Sequence, residues 1–130
     1  MKLLLDTNAY SAWKRGHAQT CDLVRGAEHL VMSVVVVGEL LHGFRGGTRF
    51  AENRRELDAL LDRPVVTLLT VTLTTAEHFA RVATDLRRQG TPIPTNDIWI
   101  AAHAMESGAE LASFDGHFES VPGLSWIHVT

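Results

Sequence analysis

Cysteine is nearly missing from this chain. The lone Cys21 cannot form an internal disulfide, and no cysteine cluster of the metal-binding kind exists, which fits a reducing cytosol. Histidine offers zinc no better site, since no two of the seven fall within five positions of each other. Long apolar runs are also lacking. The three leucines before Asp6 are too few for a signal-peptide core, and no run approaches membrane-spanning length, so a cytoplasmic protein without membrane attachment is predicted. Nor is there an excess of positive charge. The formal net charge of −3 gives no general pull toward nucleic acid, so a polyanion must be held by a local basic patch or by bound cations. Of the twelve basic residues ten are arginine, the side chain suited to forked phosphate contacts, but their number alone decides nothing. Repeats, low-complexity tracts and interdomain linkers are absent. What remains is the composition of an ordinary globular protein, 45% hydrophobic and 21% charged. Its 130 residues are read as one domain, 1–130, able to bury a substantial core.

The chain opens with Leu3-Leu4-Leu5, which stops abruptly at Asp6-Thr7-Asn8. Such a run reads as a buried strand of a parallel sheet. Asp6 then stands just past its carboxyl end, where open α/β sheets bind ligands, or it merely caps the next helix. Helical pieces are predicted over 9–15 and 20–28, and a second strand over 29–32. Ser33 is a plausible N-cap for a helix running through Val34–Val37 and Glu39-Leu40-Leu41 toward Gly43. The four valines argue instead for a longer strand, but Gly38-Glu39 continues a strand poorly. Thr48 opens another helix, which Pro64 ends, and Val65–Leu69 is a third strand. Helical spacing returns over 75–88. Gly90, Pro92 and Pro94 then stop the chain hard before a helix capped by Thr95 or Asn96 and closed by Gly108. Glu110–Phe114 and Ser125–Val129 supply strands four and five. Strands alternating with helices imply βα units and a mostly parallel sheet between helix layers.

Most of the fifteen acids lie on helix patterns where a solvated face explains them. Four do not. Asp6 and Asp115 each follow a predicted strand, Glu39 interrupts an apolar helix face, and Asp97 falls in the first turn of a helix otherwise apolar and small. Each has an ordinary alternative: Asp97 favours a helix N-terminus, Asp115-Gly116 makes a turn, and Glu39 reaches the surface. Together they form a pattern that capping does not predict, because one edge of a parallel sheet gathers all strand ends of one kind. Gathered carboxylates repel by roughly 4 kcal/mol per pair at about 4 Å, unless protons or divalent cations intervene. All-oxygen ligation selects hard cations, Mg²⁺ or Mn²⁺, and the matching chemistry is phosphodiester hydrolysis.

Four stretches carry a resemblance: Leu4-Leu5-Asp6-Thr7-Asn8, Val37-Gly38-Glu39-Leu40-Leu41-His42-Gly43, Asn96-Asp97-Ile98-Trp99-Ile100-Ala101-Ala102-His103-Ala104 and Leu111-Ala112-Ser113-Phe114-Asp115-Gly116-His117-Phe118. In their order and separation the chain resembles the PIN domain superfamily, specifically the VapC-type ribonuclease toxins of toxin–antitoxin pairs. Any one motif is weak; the ordered set is strong. The resemblance implies a three-layer α/β/α domain with a five-stranded, mostly parallel sheet of order 3-2-1-4-5. It implies Mg²⁺ or Mn²⁺ at Asp6, Glu39, Asp97 and Asp115, with Asp97 nearest to a general base. Asn8 and Ser113 match supporting polar positions, Thr7 orients Asp6 or caps the first helix, and His117 matches a position better suited to a supporting hydrogen bond than to metal ligation. The implied substrate is single-stranded or loop RNA, often a tRNA or rRNA loop. A homodimer and a VapB-type antitoxin that lays a peptide arm across the active-site groove are also implied. The apolar faces of 34–41 and 50–61 offer such a groove or simply fill the core.

Trp99 is turned away from Asp97 and favours packing over base stacking, and Trp13 and Phe44 share that ambiguity. Arg45, Arg49, Arg87 and Arg88 are candidates for phosphate contact or plain solvated helix ends. Two competing functions remain at this point: a non-catalytic RNA-binding or interaction module, and a receiver-like protein phosphorylated on Asp6. The second needs an additional acid beside the first strand or a lysine after a later one, and neither is evident.

Overall fold

A computed structural model describes residues 1–130. Its elements are β1 (Lys2–Leu5), α1 (Thr7–Lys14), α2 (Ala18–Gly26), β2 (His29–Ser33), α3 (Val34–Arg45) and α4 (Phe50–Leu61), then β3 (Val66–Leu69), α5 (Leu73–Gln89), α6 (Thr95–Ser107), β4 (Glu110–Ser113) and β5 (Trp126–His128). A 3-10 turn, Gly116–Ser120, lies between the last two strands. The sheet has the order β3-β2-β1-β4-β5 and every pairing is parallel, with Leu4 opposite Val31 on one side and Leu111 on the other. The predicted fold class and strand order are those observed.

The apolar opening run is central because it must be covered on both faces. Leu3, Leu4 and Leu5 are all fully buried, as are Leu111 and Ala112 in the neighbouring β4. The chain winds outward from β1 through β2 to β3, then returns to start β4 on the other side of β1. The direction of winding therefore reverses between β1 and β4, and the residues just past these two strands, Asp6 and Asp115, flank that point.

β2 runs into α3 with no loop. Ser33 ends the strand and caps the helix, its Oγ accepting the Val35 N–H at 3.1 Å. The four valines are helical because the cap turns the chain and the helix buries Val36 and Leu40 on one stripe. Several boundaries differ from expectation by local chemistry. α5 begins at Leu73 because Thr72 and Thr75 form a reciprocal capping box, so Thr75 lies inside the helix. α6 begins after Pro94 without a side-chain cap, leaving Asn96 free for another partner. α4 begins at Phe50, two residues beyond the expected Thr48, and ends at Leu61, ahead of Pro64. The helices α5 and α6 both stop at a left-handed glycine, Gly90 (φ +72°) and Gly108 (φ +69°). No helix is long and apolar enough to cross a membrane.

Candidate active site

Asp6 is reached first because β1 delivers it. Its Oδ1 accepts the Ala9 N–H at 2.9 Å, so it does cap α1, and at 8% exposure it is almost removed from solvent. Capping and chemistry are thus compatible, since the capping carboxyl still lines the cavity described below. Burial pushes this carboxyl above its ordinary range. The Ser113 hydroxyl and the Ala9 N–H pull it back, while Asp97 and Asp115 push it further up.

Glu39 stands in the second turn of α3, and both of its oxygens are held. The Thr7 hydroxyl donates to Oε1 at 2.6 Å, and the Asn96 amide donates to Oε2 at 3.3 Å. Thr7 therefore serves Glu39. Asp97, in the first turn of α6, is also pushed up by burial. His117 opposes this effect, and Glu39 and Asp115 add to it. Asp115 follows β4, its N–H donating to Ser113 Oγ at 2.9 Å. Ser113 thereby touches two of the acids, because Asp6 and Asp115 leave adjacent strands.

His117 bridges Asp115 and Asp97. Its Nδ1 is 3.0 Å from Asp115 Oδ1 and its Nε2 is 2.9 Å from Asp97 Oδ2, the latter an ion-pair contact without hydrogen-bond alignment. Ligand atoms from Asp97, Asp115 and His117 all lie within 4.8 Å of one another. These atoms could hold a cation, and the ring's two carboxylate contacts equally suit the supporting role expected of it.

All four acids line one open cavity of about 470 Å³, together with Thr7, Asn8, Thr95 and Asn96. No lysine or arginine lines it. None of the candidate arginines Arg45, Arg49, Arg87 and Arg88 lines it: Arg45 lies over the Phe50 ring at 4.5 Å, and Arg49 pairs with Glu52. Arg87 lines a separate apolar hollow with Ile93 and Ile98. Trp99 stacks on Phe79 with centroids 4.0 Å apart, joining α6 to α5. The apolar faces of α3 and α4 are largely spent on the core through Val36, Leu40, Leu57 and Leu60.

The donor set fits a hard divalent cation. It is almost wholly oxygen, it holds two carboxyls whose ionised forms are disfavoured as they stand, and no lysine or arginine lines it. Asn96 was missed as a site residue. It is adjacent to Asp97 in sequence, but its contact with Glu39 depends on α3 and α6 packing together, which spacing along one helix does not reveal.

Comparison with known proteins shows the family. Residues 3–124 match the PIN domain family. Ribonuclease VapC2 of Haemophilus influenzae is 31% identical over an alignment of 133 positions, covering 98% of this chain and 99% of that protein. Ribonuclease VapC1 of the same species (strain R2866) is 32% identical over 100 residues, 76% of this chain and 73% of that one. Among solved structures, VapBC-1 from nontypeable Haemophilus influenzae superposes with a TM-score of 0.83 at 28% identity, covering 98% and 97% of the two chains. VapBC2 from Rickettsia felis, bound to a promoter DNA fragment, also gives 0.83, at 22% identity and 98% coverage of both, and speaks to the fold alone.

Proposed function

From the premise that this chain belongs to the PIN domain family and its VapC ribonucleases, we propose that it is an Mg²⁺- or Mn²⁺-dependent endoribonuclease, the toxin of a VapBC-type pair. One observation carries the metal dependence: four carboxylates line one cavity in which no lysine or arginine balances them. Asp6, Glu39, Asp97 and Asp115 would hold the cation. When bound, it supplies neutralising charge, a Lewis acid for phosphate oxygen and a lowered pKa for the attacking water.

The chain's own residues do the rest. Thr7 and Asn96 fix both oxygens of Glu39, so that carboxylate cannot turn away when RNA arrives. Ser113 holds the Asp6 and Asp115 segments in register across β1 and β4. Asn8 adds a neutral polar group to the wall, suited to orienting a phosphate or ribose without adding charge. Asp97 is the general base. With Oδ2 facing His117, Oδ1 is left to take the proton from the attacking water.

The substrate is a single-stranded or loop segment of RNA, a tRNA or rRNA loop, hydrolysed in the cytoplasm. We place the toxin in a homodimer with a VapB-type antitoxin. Away from the active-site cavity, an apolar concavity of about 320 Å³ lined by Trp13, Val24, Leu30, Leu60 and Val66 would take an apolar antitoxin segment beyond the arm that crosses the groove. A metal-free RNA-binding module would have no lysine or arginine in this cavity to meet phosphate, and the same lack of a lysine argues against a phosphoaspartyl receiver. The test is incubation of the purified chain with structured RNAs. Cleavage is expected with Mg²⁺ or Mn²⁺ and is lost on chelation and in Asp97→Ala. Cleavage that survives chelation, or equals that of the variant, refutes the proposal.

A further inference from the structure

His103 is a fully buried titratable group to which the chemistry above gives no part. It lies on α6, and its ring nitrogens are both engaged. Nδ1 is 2.7 Å from Ser33 Oγ, Nε2 is 3.1 Å from the Thr70 carbonyl oxygen, and Nε2 also lies 3.7 Å from Glu106 Oε1. A carbonyl only accepts, so Nε2 carries the hydrogen, and in the neutral ring Nδ1 accepts from the Ser33 hydroxyl. Ser33 Oγ in turn accepts the Val35 N–H, which gives one directed path from the start of α3 through α6 to the segment before α5. The order serine–histidine–acid resembles a nucleophile triad, but Ser33 and His103 are both 0% exposed, and no substrate reaches the hydroxyl.

The placement of this bond suggests a different use. Glu39 lies six positions after Ser33 on α3, and Asp97 lies six positions before His103 on α6. Six residues advance an α-helix by about 9 Å. The second cross-link between these helices, Asn96 to Glu39, is at the other end of that interval, so the two helices run antiparallel between two polar rungs.

We infer that the Ser33–His103 hydrogen bond and the Asn96–Glu39 hydrogen bond form a two-rung clamp that sets the separation of Glu39 and Asp97, and through it the affinity of the site for its cation. His103 is a positioning residue in this clamp. The part concerning affinity rests on the metal-dependent reading above. A buried rung suits the purpose: both partners are fully enclosed, water cannot replace either, and neighbouring packing holds them in place. The Asn96 rung is exposed and depends on the buried one for its alignment.

Two polar substitutions separate the contacts of the ring. In His103→Asn the amide oxygen occupies the position of Nδ1 and keeps an acceptor for Ser33. In His103→Gln the amide reaches toward Thr70 and abandons Ser33. Mn²⁺ affinity is measured by the electron paramagnetic resonance signal of free ion, and the Asn96 side-chain amide is followed by ¹⁵N NMR without metal. His103→Asn is expected within about twofold of wild type. His103→Gln is expected to bind Mn²⁺ about tenfold more weakly, with its Asn96 amide moved toward the solvent-exposed position. If His103→Gln does not fold, Ser33→Gly removes the donor at little cost to the start of α3, because glycine is tolerated at a helix N-cap, and is read the same way. An unchanged Asn96 signal in the variant lacking the rung overturns the clamp, whatever happens to Mn²⁺ affinity or melting temperature. Wild type that binds no Mn²⁺ refutes the metal reading instead, while the Asn96 signal still decides the clamp.

Discussion

Replacing Asp6 by asparagine should make the cation-free protein more stable and abolish its activity. The side-chain oxygen that accepts the Ala9 N–H at 2.9 Å is retained, and asparagine caps helices about as well as aspartate. What disappears is a nearly buried negative charge that Asp97 and Asp115 both disfavour. Two like charges about 5 Å apart repel by roughly 3 kcal/mol at an effective dielectric of 20. Partial protonation and solvent at the exposed Asp115 reduce the relief to about 1–2 kcal/mol. At a typical unfolding entropy per residue, that raises the melting temperature of a domain this size by about 4–7 °C. A cation reverses the ranking. At a hundred times its dissociation constant it stabilises the wild type by about 2.7 kcal/mol, more than the variant's advantage. Differential scanning fluorimetry of both proteins in chelator and in Mn²⁺ reads the crossover directly. A variant that melts below wild type in chelator, or is stabilised equally by Mn²⁺, refutes the reasoning.

Other outcomes follow from the same geometry. Asp6 and Asp97 have folded values above the unfolded value of 3.8, so the folded state holds their protons longer. Their contribution to cation-free stability is fully present below that unfolded value and is lost as pH rises through the raised folded values, a fall that thermal melts in chelator should show and that Asp6→Asn should flatten. Gly108→Ala forces a side chain into the left-handed conformation at the end of α6 and should cost about 1–2 kcal/mol, read by urea unfolding, without altering cleavage by the folded fraction. Trp13→Glu puts a charge into the apolar concavity and should weaken antitoxin binding at least tenfold in calorimetry while RNA cleavage persists. Phe118→Ala empties a fully buried site next to His117 and should cost about 3–5 kcal/mol in chemical denaturation.

The sheet was legible because its signals are local. Leu3-Leu4-Leu5 needs both faces covered, and glycines 90 and 108 mark helix ends by the conformation they alone adopt readily. Helix starts were less legible: Thr72 with Thr75 competes for the same turn, and Pro94 begins α6 without a side-chain cap. The convergence of the four acids could be anticipated because one edge of a parallel sheet gathers strand ends of one kind, while Glu39 stood out by interrupting an apolar face; the order that sets Asp6 beside Asp115 came from the family resemblance. What the sequence could not display were contacts between side chains on different helices. Asn96 looked like a cap and reaches Glu39; His103 sits in an apolar stretch and bonds Ser33, seventy positions away. Thr7 was weighed against Asp6 and serves Glu39 instead, because α1 lies against α3.

The most direct test is to grow crystals with Mn²⁺ and locate the ion by anomalous scattering. A peak in contact with carboxylate oxygens at the edge between β1 and β4, absent from Asp6→Asn crystals, is the expected result. Well-ordered crystals in which the carboxylates stay free of manganese at saturating concentration would contradict the account.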